Sequence, residues 1–200
     1  MSTGFMAAEH AEIPIGGTVA VFALGPVGLM AVTGTQLQGA GRIIGVDTVD
    51  KRMDLAEQYG ADETVDFEEV DPVAEIESLT DGRGVDAAIE ALGANTAFEA
   101  CIEVTRPGGT ISNVGYHGQG EYVTIPREAW GVGMAEKDIV TGLCPGGRLR
   151  LERLLGLLET GRVDPTSMTT HEFDFADVDE AFELMASKSD GVIKPLIDFE

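Results

Sequence analysis

Residues Thr18-Val-Ala-Val-Phe-Ala-Leu-Gly-Pro-Val-Gly28 read as a buried strand that breaks into a tight turn and restarts as a helix. Thr18 to Ala23 is a β-branched, apolar run of strand type. The apolar positions that follow, from Pro26 to Gln38, recur at helical spacing, with Pro26 at the start and Gly39 just past the end. Inside the turn, Ala23, Gly25 and Gly28 stand at the G-x-G-x-x-G spacing of a phosphate-binding turn. Gly25 is where backbone must approach a pyrophosphate, and Gly28 is where the helix packs on the strand. The N–H groups opening the helix, aided by its dipole, would hold the anion. Ala23 replaces the first glycine, and a plain strand–helix turn explains this stretch equally well on the fingerprint alone.

The pattern repeats outward. Arg42 to Val46 predicts a strand, Lys51 to Tyr59 a helix closed by Gly60, Thr64 to Asp66 a short strand and Val73 to Leu79 a short helix. Val85 to Glu90 is a further strand, and Asn95 is the expected N-cap of a helix running to about Thr105. Gly109 to Val114 and Asp138 to Thr141 complete the strands, Tyr116 to Gly133 reads as loop, and Gly147 to Thr160 as helix. Alternation at this spacing implies parallel strands joined by crossovers. The expected fold is α/β, a doubly wound parallel sheet of about six strands. The last residues differ: strands at Thr169 to Phe173 and Gly191 to Ile197 flank a helix from Ala176 to Met185. The expected organisation is a dinucleotide-binding domain over 1–165, with a short N-terminal lead-in, and a separate segment over 166–200.

Thirty-five acidic residues against thirteen basic ones give a formal net charge of −22, and only Lys51, Lys137, Lys188 and Lys194 are lysines. The acids are spread along the chain rather than gathered in a tail, so they read as a solvated coat. Such a coat lacks the basic footprint that nucleic acid requires. It matches proteins of high-salt cytoplasm, where molar salt shortens the Debye length to about 3 Å. The longest apolar run, Thr18 to Val32, is broken by Gly25-Pro26 and is too short for a membrane span. Glu9 and Glu12 stand where a signal peptide would place positive charge, so the expectation is cytoplasmic. Cys101 and Cys144 form no ligand pair and are expected to be reduced, buried thiols. His10, His117 and His171 are equally scattered, and no metal site is expected from these residues.

Asp47 turns the phosphate reading into a cofactor reading. It stands at the end of the second strand, nineteen residues beyond Gly28. An acid there accepts the adenosine ribose hydroxyls and repels a 2′-phosphate, which favours NAD over NADP. Arg52, five residues on, would reach the same ribose or pair with Asp54 on the surface.

Several short motifs carry a family resemblance over nearly the whole chain. Ser2-Thr-Gly-Phe5, Ala8-Glu9, Gly25-Pro-Val-Gly-Leu-Met-Ala31, Gly39-Ala-Gly-Arg-Ile-Ile44, Gly84-Val-Asp-Ala-Ala88, Arg106-Pro-Gly-Gly-Thr110 and Ile193-Lys-Pro195 resemble the zinc-type, medium-chain alcohol dehydrogenases. Trp130-Gly-x-Gly-Met-Ala135 and Gly142-Leu-Cys-Pro-Gly-Gly-Arg-Leu-Arg150 are similar to their bacterial and archaeal secondary-alcohol branch. The resemblance implies a place for each candidate residue. Thr3 would lie beside the nicotinamide, Gly25, Pro26, Val27 and Gly28 on the pyrophosphate, and Asp47 with Arg52 on the ribose. Gly93 and Gly115 would bring backbone against the cofactor, Leu143 would meet the carboxamide, and Lys194 would be a basic residue near the phosphates. NADP-users of this branch tend to place small and basic residues where Asp47-Thr48-Val49 stands here.

The resemblance also implies an N-terminal domain carrying a catalytic zinc, its Cys/Asp, His and Glu ligands and a proton relay. Residues 1–200 hold none of these, and the last ligand of that zinc would fall just before Met1. Three readings follow: the cofactor domain of an NAD-dependent secondary-alcohol dehydrogenase, with zinc expected only in that other domain; a free-standing, non-catalytic NAD-binding module acting as sensor or partner subunit; or an inert remnant whose role is subunit association. The expected partners are NAD together with a second copy of the chain or a separately encoded catalytic domain. The 200-residue chain is expected to be inactive by itself.

Overall fold

The computed structural model describes residues 1–199. Six strands form one parallel sheet in the order β3-β2-β1-β4-β5-β6. They are β1 (Thr18–Phe22), β2 (Arg42–Asp47), β3 (Glu63–Asp66), β4 (Val85–Glu90), β5 (Thr105–Asn113) and β6 (Asp138–Thr141). The connecting helices are α2 (Pro26–Leu37), α3 (Asp50–Gln58), α4 (Pro72–Leu79) and α5 (Asn95–Val104). This is the expected doubly wound sheet. Strand order reverses between β1 and β4, which pair with Val19 opposite Ala87 and Phe22 opposite Glu90. A crevice opens at such a point, beyond the carboxyl ends of the strands.

Burial on both faces explains the near-continuous apolar strands. Every residue of β4 is buried, and Ala20, Phe22, Ile44, Val46, Ala88 and Ile111 pack against Phe98, Cys101 and Ile102 of α5. At the opposite end of the sheet, Asp86 ties β1, β4 and β5 together. It accepts the Thr18 N–H at 2.8 Å and hydrogen bonds from Arg83 Nη1 at 3.0 Å and Arg106 Nε at 2.7 Å. Burial opposes its ionisation, but the two arginines and the Thr18 N–H outweigh that and hold its carboxyl well below the usual carboxylate range.

Several expectations need correction. The lead-in is a helix, α1 (Ser2–His10), whose Phe5, Met6, Ala7 and Ala8 are buried against α2. Asn95 is not the N-cap of α5. Ala94 holds that position in extended conformation, and the Asn95 side chain instead donates to the Tyr122 carbonyl at 3.1 Å. β5 begins at Thr105 rather than Gly109, because a register shift lets Arg106 to Gly109 loop out between the pairs Val85–Thr105 and Ala87–Thr110. Cys101 is buried as expected, and burial pushes its thiol up; Cys144 is exposed.

The chain divides into two compact units, 1–151 and 152–200, so the division falls earlier than the expected one at 165. Helix α6 (Arg148–Glu159) runs through the boundary. In the second unit β7 (Thr169–Asp174) and β8 (Lys194–Asp198) pair in parallel, connected through α7 (Val178–Ser187). The final strand thus starts at Lys194 rather than Gly191, and the helix starts at Val178, after a 3-10 turn at Phe175–Asp177. Among the described residues no helix is long and apolar enough to cross a membrane.

Candidate functional site

The turn between β1 and α2 is closed by sterics that only glycine satisfies at residue 28. A Cβ on Gly28 would lie 1.9 Å from the Ala23 carbonyl oxygen. Ala23 itself sits at φ +71°, a left-handed conformation that glycine adopts more cheaply. Nothing lies within 4 Å of the corresponding Cβ position on Gly25, so the backbone there faces open space. The first backbone bond of α2 runs from the Leu29 N–H to the Gly25 carbonyl at 2.9 Å. The amides of Val27 and Gly28 therefore precede the helical ladder, and Pro26 at the helix start has no N–H to satisfy. This geometry fits a phosphate.

Asp47 ends β2 beside that turn and is buried. Its Oδ2 accepts the Leu24 N–H at 2.7 Å, and its Oδ1 accepts those of Thr48 at 2.9 Å and Val49 at 3.1 Å. Arg52 folds back with Nη1 3.7 Å from Oδ2, so it pairs with Asp47 and not with Asp54. Three of the carboxylate's four lone-pair sites are taken, which leaves room for one further donor such as a ribose hydroxyl. Between these strand ends and α4/α5 lies an apolar slot of about 250 Å³ lined by Phe22, Val46, Phe67, Pro72 and Ala97, suited to a flat aromatic base. A wider cleft of about 780 Å³ opens between the turns after β4 and β5, where Gly93 and Gly115 stand.

Thr3, on α1, lies beside Cys144, the residue that follows Leu143. The Ser2 hydroxyl donates to the Pro145 carbonyl at 2.8 Å, Arg150 pairs with Glu9 and donates to the Ser2 carbonyl at 3.2 Å, and Leu143 is 93% exposed. Hydrogen bonds from the Thr3 and Ser2 hydroxyls lower the Cys144 thiol. Lys194 lies in the second unit, where it opens β8 with an exposed side chain. Among the described residues no group of three or more His, Cys, Asp or Glu side chains could hold a metal ion.

Residues 26–159 match the family of zinc-binding dehydrogenases. The chain belongs to that family. Among curated relatives, the NADP-dependent isopropanol dehydrogenase of Thermoanaerobacter brockii is 49% identical over 198 residues, covering 98% of this chain and 56% of that protein. An alcohol dehydrogenase of Cupriavidus necator is 47% identical over 194 residues, covering 97% of this chain and 52% of that protein. The solved alcohol dehydrogenase TADH from Thermus sp. ATN1 superposes with a TM-score of 0.88 at 28% identity, over all of this chain and 56% of that one. The chain thus spans about half the length of the relatives it matches.

For a zinc-binding dehydrogenase the site holds one residue that sequence reasoning missed. Glu90 ends β4 as Asp47 ends β2, and its side chain is fully buried. The signal was present: an acid closing an otherwise buried strand at the crevice edge.

Proposed function

We propose that this chain is the cofactor-holding part of a zinc-type secondary-alcohol dehydrogenase and that it prefers NAD to NADP. The observation that carries the reading is Asp47: a buried carboxylate beside the glycine turn, with room for one ribose hydroxyl and no basic residue immediately after it. A 2′-phosphate on that ribose would meet this carboxylate. The relative from Thermoanaerobacter brockii is named for NADP, so cofactor choice is the sharpest test. Bound nicotinamide would accept a hydride from the alcohol carbon. The residues of this chain would supply binding and orientation: Gly25 to Gly28 on the pyrophosphate, Asp47 and Arg52 on the ribose, Gly93 and Gly115 beneath the cofactor, Thr3 and Leu143 around the nicotinamide.

Zinc chemistry belongs, in this reading, to a separate catalytic domain, and the protein works in the cytoplasm. Its proposed partners are a second copy of the chain or that separately encoded catalytic domain. Calorimetric titration should show NAD binding at least tenfold tighter than NADP, a gap of roughly 1.4 kcal/mol. Equal or tighter NADP binding defeats the assignment. The 200-residue chain by itself should bind no stoichiometric zinc and oxidise no propan-2-ol, and a supplied catalytic domain should restore both. Chelator-insensitive turnover by the chain alone contradicts this division of labour.

A further inference from the structure

Glu90 reaches out of its strand with both main chain and side chain. Its carbonyl accepts the Val114 N–H at 2.9 Å and the Gly115 N–H at 3.1 Å. Its Oε1 accepts the N–H groups of Leu92 at 2.9 Å and Gly93 at 2.6 Å. One residue therefore holds the turn after β4 and the turn after β5. The turns also press on each other: a Cβ on Gly93 would lie 2.3 Å from the Tyr116 carbonyl, and one on Gly115 would lie 2.1 Å from both Glu90 Oε2 and the Gly93 nitrogen.

The second carboxylate oxygen is what a purely structural account leaves over. Oε2 is buried without a hydrogen bond, 3.6 Å from Nε2 of His117. That imidazole comes from the second turn, hydrogen-bonds Asn113 Oδ1 through Nε2 at 2.9 Å and packs edge-on against Phe98. Burying a carboxylate costs several kcal/mol, and a smaller neutral side chain would satisfy the same two amides less expensively. The cleft of about 780 Å³ has Leu92 to Thr96 on one wall and Tyr116 with Gly118 to Gly120 on the other. Its walls are the two turns that Glu90 joins.

We infer that Glu90 is a positioning residue which, with His117 as its counter-group, sets the separation of these turns and so the affinity for the nicotinamide half of the dinucleotide. The inference rests on the proposed cofactor reading. A dinucleotide straddles the two halves of such a sheet. Asp47 marks the β1–β3 half for adenosine, and the β4–β6 half with its cleft takes the other nucleotide. Glu90 then acts on one half and leaves the other alone.

NAD and AMP titrated calorimetrically into the unmutated chain, Glu90→Gln and His117→Gln separate the two halves. Glu90→Gln keeps the shape and one acceptor but turns an amide donor toward His117. Both variants should bind NAD about tenfold more weakly, with AMP affinity within about twofold of the unmutated chain. Unchanged NAD affinity, or NAD and AMP falling together, overturns the inference. If Glu90→Gln does not fold by thermal melt, His117→Gln is read by the same criteria. An unmutated chain that binds neither nucleotide defeats the cofactor reading itself, a result distinct from normal NAD binding by the variants.

Discussion

The Asp47 carboxylate accepts the backbone N–H of Leu24 at 2.7 Å, so the acid proposed to choose the cofactor also braces the turn proposed to hold its phosphates. Cofactor selection and loop stability are therefore coupled at one side chain.

Asp47→Gly removes the carboxylate that would oppose a 2′-phosphate and should narrow the gap between NAD and NADP. It also leaves the amides of Leu24, Thr48 and Val49 without their acceptor. A loss of roughly 2 kcal/mol in urea unfolding is expected. A variant with unchanged stability shows that the brace contributes nothing.

Ala23 occupies the first fingerprint position at φ +71°. Ala23→Gly relieves left-handed strain but loosens the unfolded chain, and the first effect is larger. A net gain of about 0.5–1 kcal/mol is expected, or about 2 °C in Tm. A lower midpoint contradicts the strain.

Asp86 links pH to stability at the far end of the sheet. Its folded pKa is depressed, so its contribution is complete above the unfolded value and is lost as pH falls through the folded one. Asp86→Asn should cost about 2–3 kcal/mol at neutral pH. The difference between the two proteins should shrink as pH drops from about 4 toward 2. A difference that stays constant over that range rules out the linkage.

The two thiols should part company under iodoacetamide. Cys144 is exposed with a lowered thiol, whereas Cys101 is buried with a raised one. Mass spectrometry of the native protein should find Cys144 labelled and Cys101 protected until denaturation. Because Thr3 hydrogen-bonds Cys144 and is proposed to sit beside the nicotinamide, NAD should slow that labelling.

The net charge of −22 predicts a salt response. The thermal midpoint should rise as KCl increases from about 0.1 M to about 2 M, because screening removes self-repulsion. A flat or falling midpoint excludes the salt-adapted reading.

The sequence by itself determined the strand–helix alternation, the parallel sheet and the glycine turn. Those features arise from local period and local sterics: Gly28 must lack a Cβ because the Ala23 carbonyl is only five residues back in the chain. The place of Asp47 at the end of β2, beside that turn, was legible for the same reason, through its offset along the chain. Tertiary structure decided what depends on partners distant in sequence. Helix α1 is stabilised by burial against α2, and its own sequence carries no capping side-chain hydrogen bond to announce it. Asn95 was drawn from its expected cap to the Tyr122 carbonyl, and β5 was extended by a register shift against β4. Glu90 looked like the end of a strand until the turn after β5 folded over it. Its meeting with Gly115 and His117 depends on sheet register, which no spacing along the chain encodes.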